Sequence, residues 1–153
     1  MSWQFGCIDL GATDYVSDID FELLDPVPIN DVLHVYHDYC LHKHFLSVMP
    51  MIPGRLTAIG TEIIGYRDQG RLIAWSMYRI WDKHHVLSDH HAWDYRNPRL
   101  RLGIRSLENE CAIYRDRGYR YMYFESVEPY MLDLQGFTVL GPMQHQHADK
   151  IGS

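Results

Sequence analysis

Residues 84–141 constrain the chain most, because a strand, a basic turn, a helix, a strand, a short helix and a last strand follow one another with few residues to spare. Residues 84–95 (HHVLSDHHAWDY) read as extended, and residues 96–105 (RNPRLRLGIR) as a turn rich in arginine and broken by Pro98. Ile104, Leu107, Cys111, Ala112 and Tyr114 recur at helical spacing, which predicts a helix over 104–117. Gly118 ends it, since a left-handed residue is wanted just past the last turn, and Arg115 and Arg117 suit the negative end of the helix dipole. Residues 119–126 (YRYMYFES) begin a strand at once. Strand, crossover helix and strand imply a right-handed parallel unit, whose helix N-terminus offers free N–H groups and positive partial charge to a phosphate.

Upstream, residues 62–67, 72–81 and 84–95 are three runs separated by the turns Asp68-Gln69-Gly70 and Asp82-Lys83, the pattern of an antiparallel meander. Residues 72–81 (LIAWSMYRIW) are apolar on both alternating faces, which predicts a central strand covered above and below. Residues 21–27 read as a short strand stopped by Pro26 and Pro28. Asn30 is the expected N-cap of a helix through Leu46, with Val32, Leu33, Tyr36 and Cys40 inward. Residues 47–61 read as a loop or broken helix. At the far end, residues 128–135 form a short helix ended by Gly136, and residues 137–140 a last strand. With 153 residues the chain suits one domain, expected over 21–143, between an N-terminal arm (1–20; irregular or a weak edge strand) and a polar tail (144–153).

The formal net charge of -6 hides an asymmetry. The first 38 residues hold eight of the 20 acids and no Lys or Arg, so the rest carries 14 basic and 20 − 8 = 12 acidic residues. Seven of those basic residues are arginines between Arg96 and Arg120. A local cluster beside an acidic segment favours a compact polyanion over a long nucleic-acid track. Cys7, Cys40 and Cys111 are odd in number and widely spaced, which points to free thiols. Residues 1–14 show neither a basic nor an apolar leader region, and no apolar run approaches the roughly 20 residues of a membrane span. Cytoplasm without membrane association is the expectation.

Taken together, the N-terminal strand and helix, the meander, the basic turn into a helix and the closing segment resemble the GNAT superfamily of N-acyltransferases over residues 21–141. Leu102-Gly103-Ile104 at the start of the central helix, and Tyr130-Met131-Leu132-Asp133-Leu134-Gln135-Gly136-Phe137, carry the resemblance. It implies an α/β (α+β) fold, an antiparallel meander followed by a parallel β-α-β unit with splayed strands. The pantetheine of acetyl-CoA or another acyl-CoA would lie between those strands, and its pyrophosphate at the helix start. Arg99, Arg101, Leu102, Gly103, Ile104, Arg105 and Ser106 are the implied donor-binding residues. The family's phosphate loop has a second small residue where this chain has Arg105. Arg101-Leu102-Gly103 followed by Tyr121-Met122-Tyr123-Phe124 also looks like the GNAT-type half of the arginyl- and leucyl-tRNA-protein transferases. One strand after Gly136, where the family has two, leaves a sheet edge for the N-terminal arm or another copy of the chain, as in a homodimer.

Acyl transfer to an amine needs a base and an acid for the leaving group. By strand alternation Asp89, His91 and Trp93 share one face and Ser88 and His90 the other. Asp89, His91, Glu125 and Ser126 fall where the two strands part, and they are the candidate catalytic residues with Tyr130, which stands two residues before the family's usual tyrosine position, here Leu132. The ten histidines match no metal motif, and no metal is expected. Three functions follow: an acyl-CoA-dependent transferase acting on a small-molecule or peptide amine, a tRNA-dependent aminoacyl transferase, or a GNAT-like binding or assembly module without catalysis. The net charge disfavours tRNA.

Overall fold

The computed structural model describes residues 4–44, 51–96 and 100–141. Its strands are β1 (Phe5–Asp9), β2 (Glu22–Leu23), β3 (Thr61–Asp68), β4 (Arg71–Ile80), β5 (His85–Trp93), β6 (Tyr121–Phe124) and β7 (Phe137–Gly141). They form one mixed sheet in the order β2-β3-β4-β5-β6-β1-β7. Helices α1 (Ile29–His42) and α2 (Pro53–Leu56) cover one face of it, and α3 (Leu102–Asp116) the other. No described helix is long and apolar enough to cross a membrane.

The meander is as expected. Gln69 and Gly70 both have positive φ, 52° and 79°, as a two-residue hairpin turn between β3 and β4 requires. Leu72 to Tyr78 are all buried, with Trp75 and Met77 against Val32, Val35 and Leu56 in the α1 layer. Tyr78 lies with Leu107, Cys111 and Tyr114 in the α3 layer. Gly118, at φ 95°, ends α3 and turns the chain into β6. β6 pairs parallel with β5, from His85 opposite Tyr121 to Ser88 opposite Phe124. Pairing stops there while β5 runs on to Trp93, so the strands part as the splayed unit demands.

Four expectations change. Residues 5–9 are no edge: β1 lies between β6 and β7, antiparallel to both, and supplies the strand missing after Gly136. Helix α1 begins at Ile29 after Pro28, so Asn30 lies in its first turn rather than at the cap. The short helix after β6 is a 3-10 turn, Pro129–Asp133. Helix α1 also ends at His42, short of the expected Leu46, where Lys43 caps it and His44 turns the chain at φ 55°. Residues 47–50 of the expected loop and the 144–153 tail fall outside the described residues.

Three of the clustered arginines make contacts within the fold. Arg115 donates to the Thr13 carbonyl at 3.1 Å, Arg117 grips Glu62 at 2.8 and 2.9 Å, and Arg120 pairs with Asp9 at 3.0 Å. Each joins α3 or the strand after it to a segment far away in sequence.

Candidate functional site

The parting of β5 from β6 opens toward the start of α3, where a groove of about 340 Å³ forms. Arg101, Leu102, Gly103 and Ile104 make one wall; Trp93, Tyr95 and Lys43 face them. Arg101 takes a left-handed conformation, φ 49° and ψ 45°, to turn the chain into the helix, and among the described residues no side chain caps the first turn. Backbone N–H groups at such a helix start, with the positive end of the dipole, suit an anion. Gly103 is small for a local reason: a Cβ there would lie 3.0 Å from the Trp93 ring, so glycine lets β5 and α3 close on each other.

The aromatic wall is continuous. Tyr39 of α1 lies 4.7 Å from Trp93 and stacks on Tyr95 at 5.9 Å, while His91 stacks on Trp93 at 5.1 Å. The Lys43 ammonium stands 5.6 Å from the Trp93 ring and 5.7 Å from that of Tyr95. Asp94, at the end of β5, is ion-paired by Arg96 at 2.7 Å and Arg71 at 3.1 Å, and Arg96 first among causes holds its carboxyl below the usual range. With that acid engaged, Lys43, Arg101 and the helix end leave the groove positive. The Tyr95 hydroxyl is buried and has no hydrogen-bond partner among the described residues.

Deeper between the parted strands is a second cavity, of about 20 Å³, whose walls include Gly103 and Tyr130 in common with the groove. Glu110 of α3 reaches it and is 1% exposed. Its Oε2 accepts from Tyr66 at 2.5 Å and Ser76 at 3.0 Å, and its Oε1 from Tyr78 at 2.6 Å. These partners are hydroxyls, not cations. Burial pushes the carboxyl up to about 7, against the lowering effect of those hydrogen bonds. His91 lines the same cavity, and burial holds its imidazole down to about 4, so it is neutral at pH 7.

The expected site residues divide. His91 and Tyr130 face the inner cavity, and burial pushes the Tyr130 phenol up to about 12. Asp89 does not join His91, because a bulge opposite Met77 and Tyr78 breaks the alternation of β5. Ser88 and His91 consequently share the α3 side, while Asp89 meets Arg55 of α2 at 3.2 Å, Arg79 at 3.0 Å and His90 at 3.0 Å. The His90 hydrogen bond first, and both arginines, hold the Asp89 carboxyl down to about 2. Glu125 and Ser126 lie in an exposed bend beyond β6. Arg101, Leu102, Gly103 and Ile104 line the groove; Arg105 is half-buried in the first turn of α3. Ser106 is buried and turns its hydroxyl to the Gly103 carbonyl at 3.3 Å, on the inner-cavity side. Arg99 lies outside the described residues.

Glu110 escaped the sequence reading, yet its signal was there. It stands three residues after Leu107 and four before Tyr114, a carboxyl on the apolar face of the helix. Lys43 and Tyr95 carried no signal, since the groove joins the end of α1 to the end of β5 only in three dimensions.

No protein-family model matches the sequence, and no curated protein does so. Solved structures do match. The C-terminal domain of a candidate lysylphosphatidylglycerol synthetase from Agrobacterium fabrum aligns with TM-score 0.63 at 13% identity, over 83% of this chain and 48% of that one. A GCN5-related N-acetyltransferase from Anabaena variabilis aligns with TM-score 0.62 at 18% identity, over 91% and 38%. Saccharomyces cerevisiae N-myristoyltransferase with bound myristoyl-CoA aligns with TM-score 0.54 at 8% identity, over 80% and 41%. The chain thus spans less than half the length of these three. At such identities the likeness carries architecture alone, and that architecture is plain: this chain has a GNAT-like fold.

Proposed function

We propose that the chain transfers an acyl group from a CoA thioester to an amine. One observation carries this reading: the strands part beyond Ser88 and Phe124 beside a positive, aromatic-walled groove that ends at the start of α3, which no described side chain caps. The first-turn N–H groups, with Lys43 and Arg101, suit a pyrophosphate, and Trp93 and Tyr95 suit the apolar body of the donor. A similar fold solved with myristoyl-CoA bound supports acyl-CoA as the donor class. Tyr130, neutral well above pH 7, stands at the inner end of the groove, where it serves as the acid for the departing sulfur.

Calorimetry with acetyl-CoA tests the reading directly. Binding with one site per chain, weakened about tenfold or more by Lys43→Ala, is expected, since a charge-assisted contact is worth roughly 1.5–3 kcal/mol. Absence of heat with acetyl-CoA and with longer acyl-CoA esters overturns it. Binding without turnover on any amine would convert the assignment to a binding module.

A further inference from the structure

Glu110 has features that packing alone does not call for. A buried carboxyl normally has a cationic partner or gives way to an apolar residue, because its charged form is costly in a low-dielectric interior. Here three hydroxyls on two strands, Tyr66 of β3 with Ser76 and Tyr78 of β4, aim at one carboxylate. Asn109 supports Tyr66 in turn, donating to its hydroxyl oxygen at 3.2 Å. The other titratable groups around it are His91 from β5, Cys111 and Tyr114 from α3, and Tyr130 from the 3-10 turn. All are uncharged at pH 7: burial raises the thiol and phenols and lowers the imidazole. Among the described residues, the carboxyl therefore gains or loses a proton with no neighbouring charge to hold it in one state.

Its position gives that proton somewhere to go. The cavity of about 20 Å³ beside Glu110 has room for one water and a polar lining from Ser88, His91 and Tyr130. Three hydroxyls occupy three of the roughly four acceptor positions of a carboxylate, which leaves one on Oε1 for that water. Gly103 and Tyr130 line both this cavity and the donor groove, so the two adjoin there.

We propose that Glu110 is the proton acceptor of the acyl transfer, reached from the attacking amine through a single water in the inner cavity. This rests on the acyl-CoA reading above. The amine nitrogen bonds to the thioester carbonyl carbon, the carbon–sulfur bond breaks, and the amine's proton passes through the water to Glu110. Tyr130 gives its phenolic proton to the departing sulfur and recovers one from Glu110 by the same water. Amide and thiol are the products, and both residues return to their starting states. Glu110 is a positioning residue for the water and the store of the proton.

The experiment begins with acetyl-CoA binding in the calorimeter, then measures acetyl transfer to spermidine and to a Met-Ser dipeptide from pH 5.5 to 9. Wild-type rate, expressed per concentration of unprotonated amine, is expected to fall about tenfold per pH unit below a limb near 7, as Glu110 takes up its proton. Glu110→Gln should bind acetyl-CoA as before, lower kcat by about 10²- to 10⁴-fold and abolish the limb. Ser76→Ala, which removes one hydrogen bond to the charged form, should move the limb to higher pH and serves also if Glu110→Gln does not fold. A Glu110→Gln enzyme that keeps the limb, or a Ser76→Ala limb that does not move, overturns the inference and leaves the acyl-CoA reading intact. Failure of wild-type chain to bind acetyl-CoA overturns both.

Discussion

Gly103 and Trp93 touch where α3 begins, and a Cβ on Gly103 would stand 3.0 Å from Cζ2 and 3.2 Å from Cη2 of the indole. Both contacts are tighter than a side chain tolerates without movement, and Trp93 is itself wedged among Tyr39, His91 and Tyr95. Gly103→Val should therefore destabilise the fold by roughly 1–3 kcal/mol, the usual cost of overpacking. It should also displace one wall of the groove. Thermal melts and near-ultraviolet dichroism measure the first effect, and acetyl-CoA calorimetry the second. A valine variant with native melting temperature and unchanged binding would remove Gly103 from the site.

Glu110 and His91 set opposing slopes of stability against pH. Between about 4.5 and about 7 the folded chain keeps a proton on Glu110 that the unfolded chain has released, so stability falls as pH rises. Between about 4 and 6.5 the unfolded chain protonates His91 while the folded chain does not, so stability rises with pH. The two cancel over about 4.5–6.5, each contributing at most about 1.4 kcal/mol per pH unit. Glu110→Gln should therefore gain stability across that range where wild type is level, and His91→Asn should lose it. Denaturant midpoints at half-unit pH steps read both. Parallel curves for the two variants would contradict the opposed burial of these groups.

What the sequence made legible was local. The Gly118 stop, the Gln69-Gly70 turn and the doubly apolar β4 each follow from a few adjacent residues, and each stands in the structure. The register of β5 was not legible, because an inserted residue opposite Met77 and Tyr78 leaves no mark on the sequence and carries Asp89 away from His91. Nor was β1. Its buried positions are Gly6 and Ile8, and glycine hides the alternation: the Phe137 ring fills the space a Gly6 side chain would take, 2.6 Å from its Cβ position. Both partners of β1 lie more than 110 residues away, beyond any local pattern. The groove was half legible, as the helix start belongs to one segment while Lys43 and Tyr95 arrive from two others.

The place of β1 makes Gly136 a closure point. Gly136 has φ 69°, its carbonyl accepts from the Asp9 N–H at 3.0 Å, and a Cβ would meet the Asp9 carbonyl oxygen at 2.6 Å. Alanine would be both strained at that φ and in collision with backbone. Gly136→Ala should cost on the order of 2 kcal/mol or more, and should raise hydrogen exchange first at the amides of β1 and β7. Gly54→Ala, where nothing lies within 4 Å, is the control and should change little. Equal melting temperatures for the two variants would refute the closure.

The donor can be decided by salt. A tRNA contacting 6–10 phosphates would lose about 10³- to 10⁵-fold in affinity between roughly 50 and 200 mM salt, whereas the few phosphates of CoA give a shallow slope. Six of the seven arginines from Arg96 to Arg120 are described, and of these Arg96 is paired with Asp94, Arg117 with Glu62 and Arg120 with Asp9, and Arg115 holds the Thr13 carbonyl. Among the described residues Arg101 and Arg105 remain near the helix start with Lys43, enough for a pyrophosphate, while the net charge of -6 opposes a wide nucleic-acid footprint. Acetyl-CoA affinity should therefore fall only several-fold across that salt range, and charged tRNA should not bind tightly at physiological salt. Calorimetry and filter binding on the same preparation measure the two slopes. Sub-micromolar tRNA affinity with a steep slope, together with no heat on adding acetyl-CoA, would move the assignment to an aminoacyl-tRNA donor.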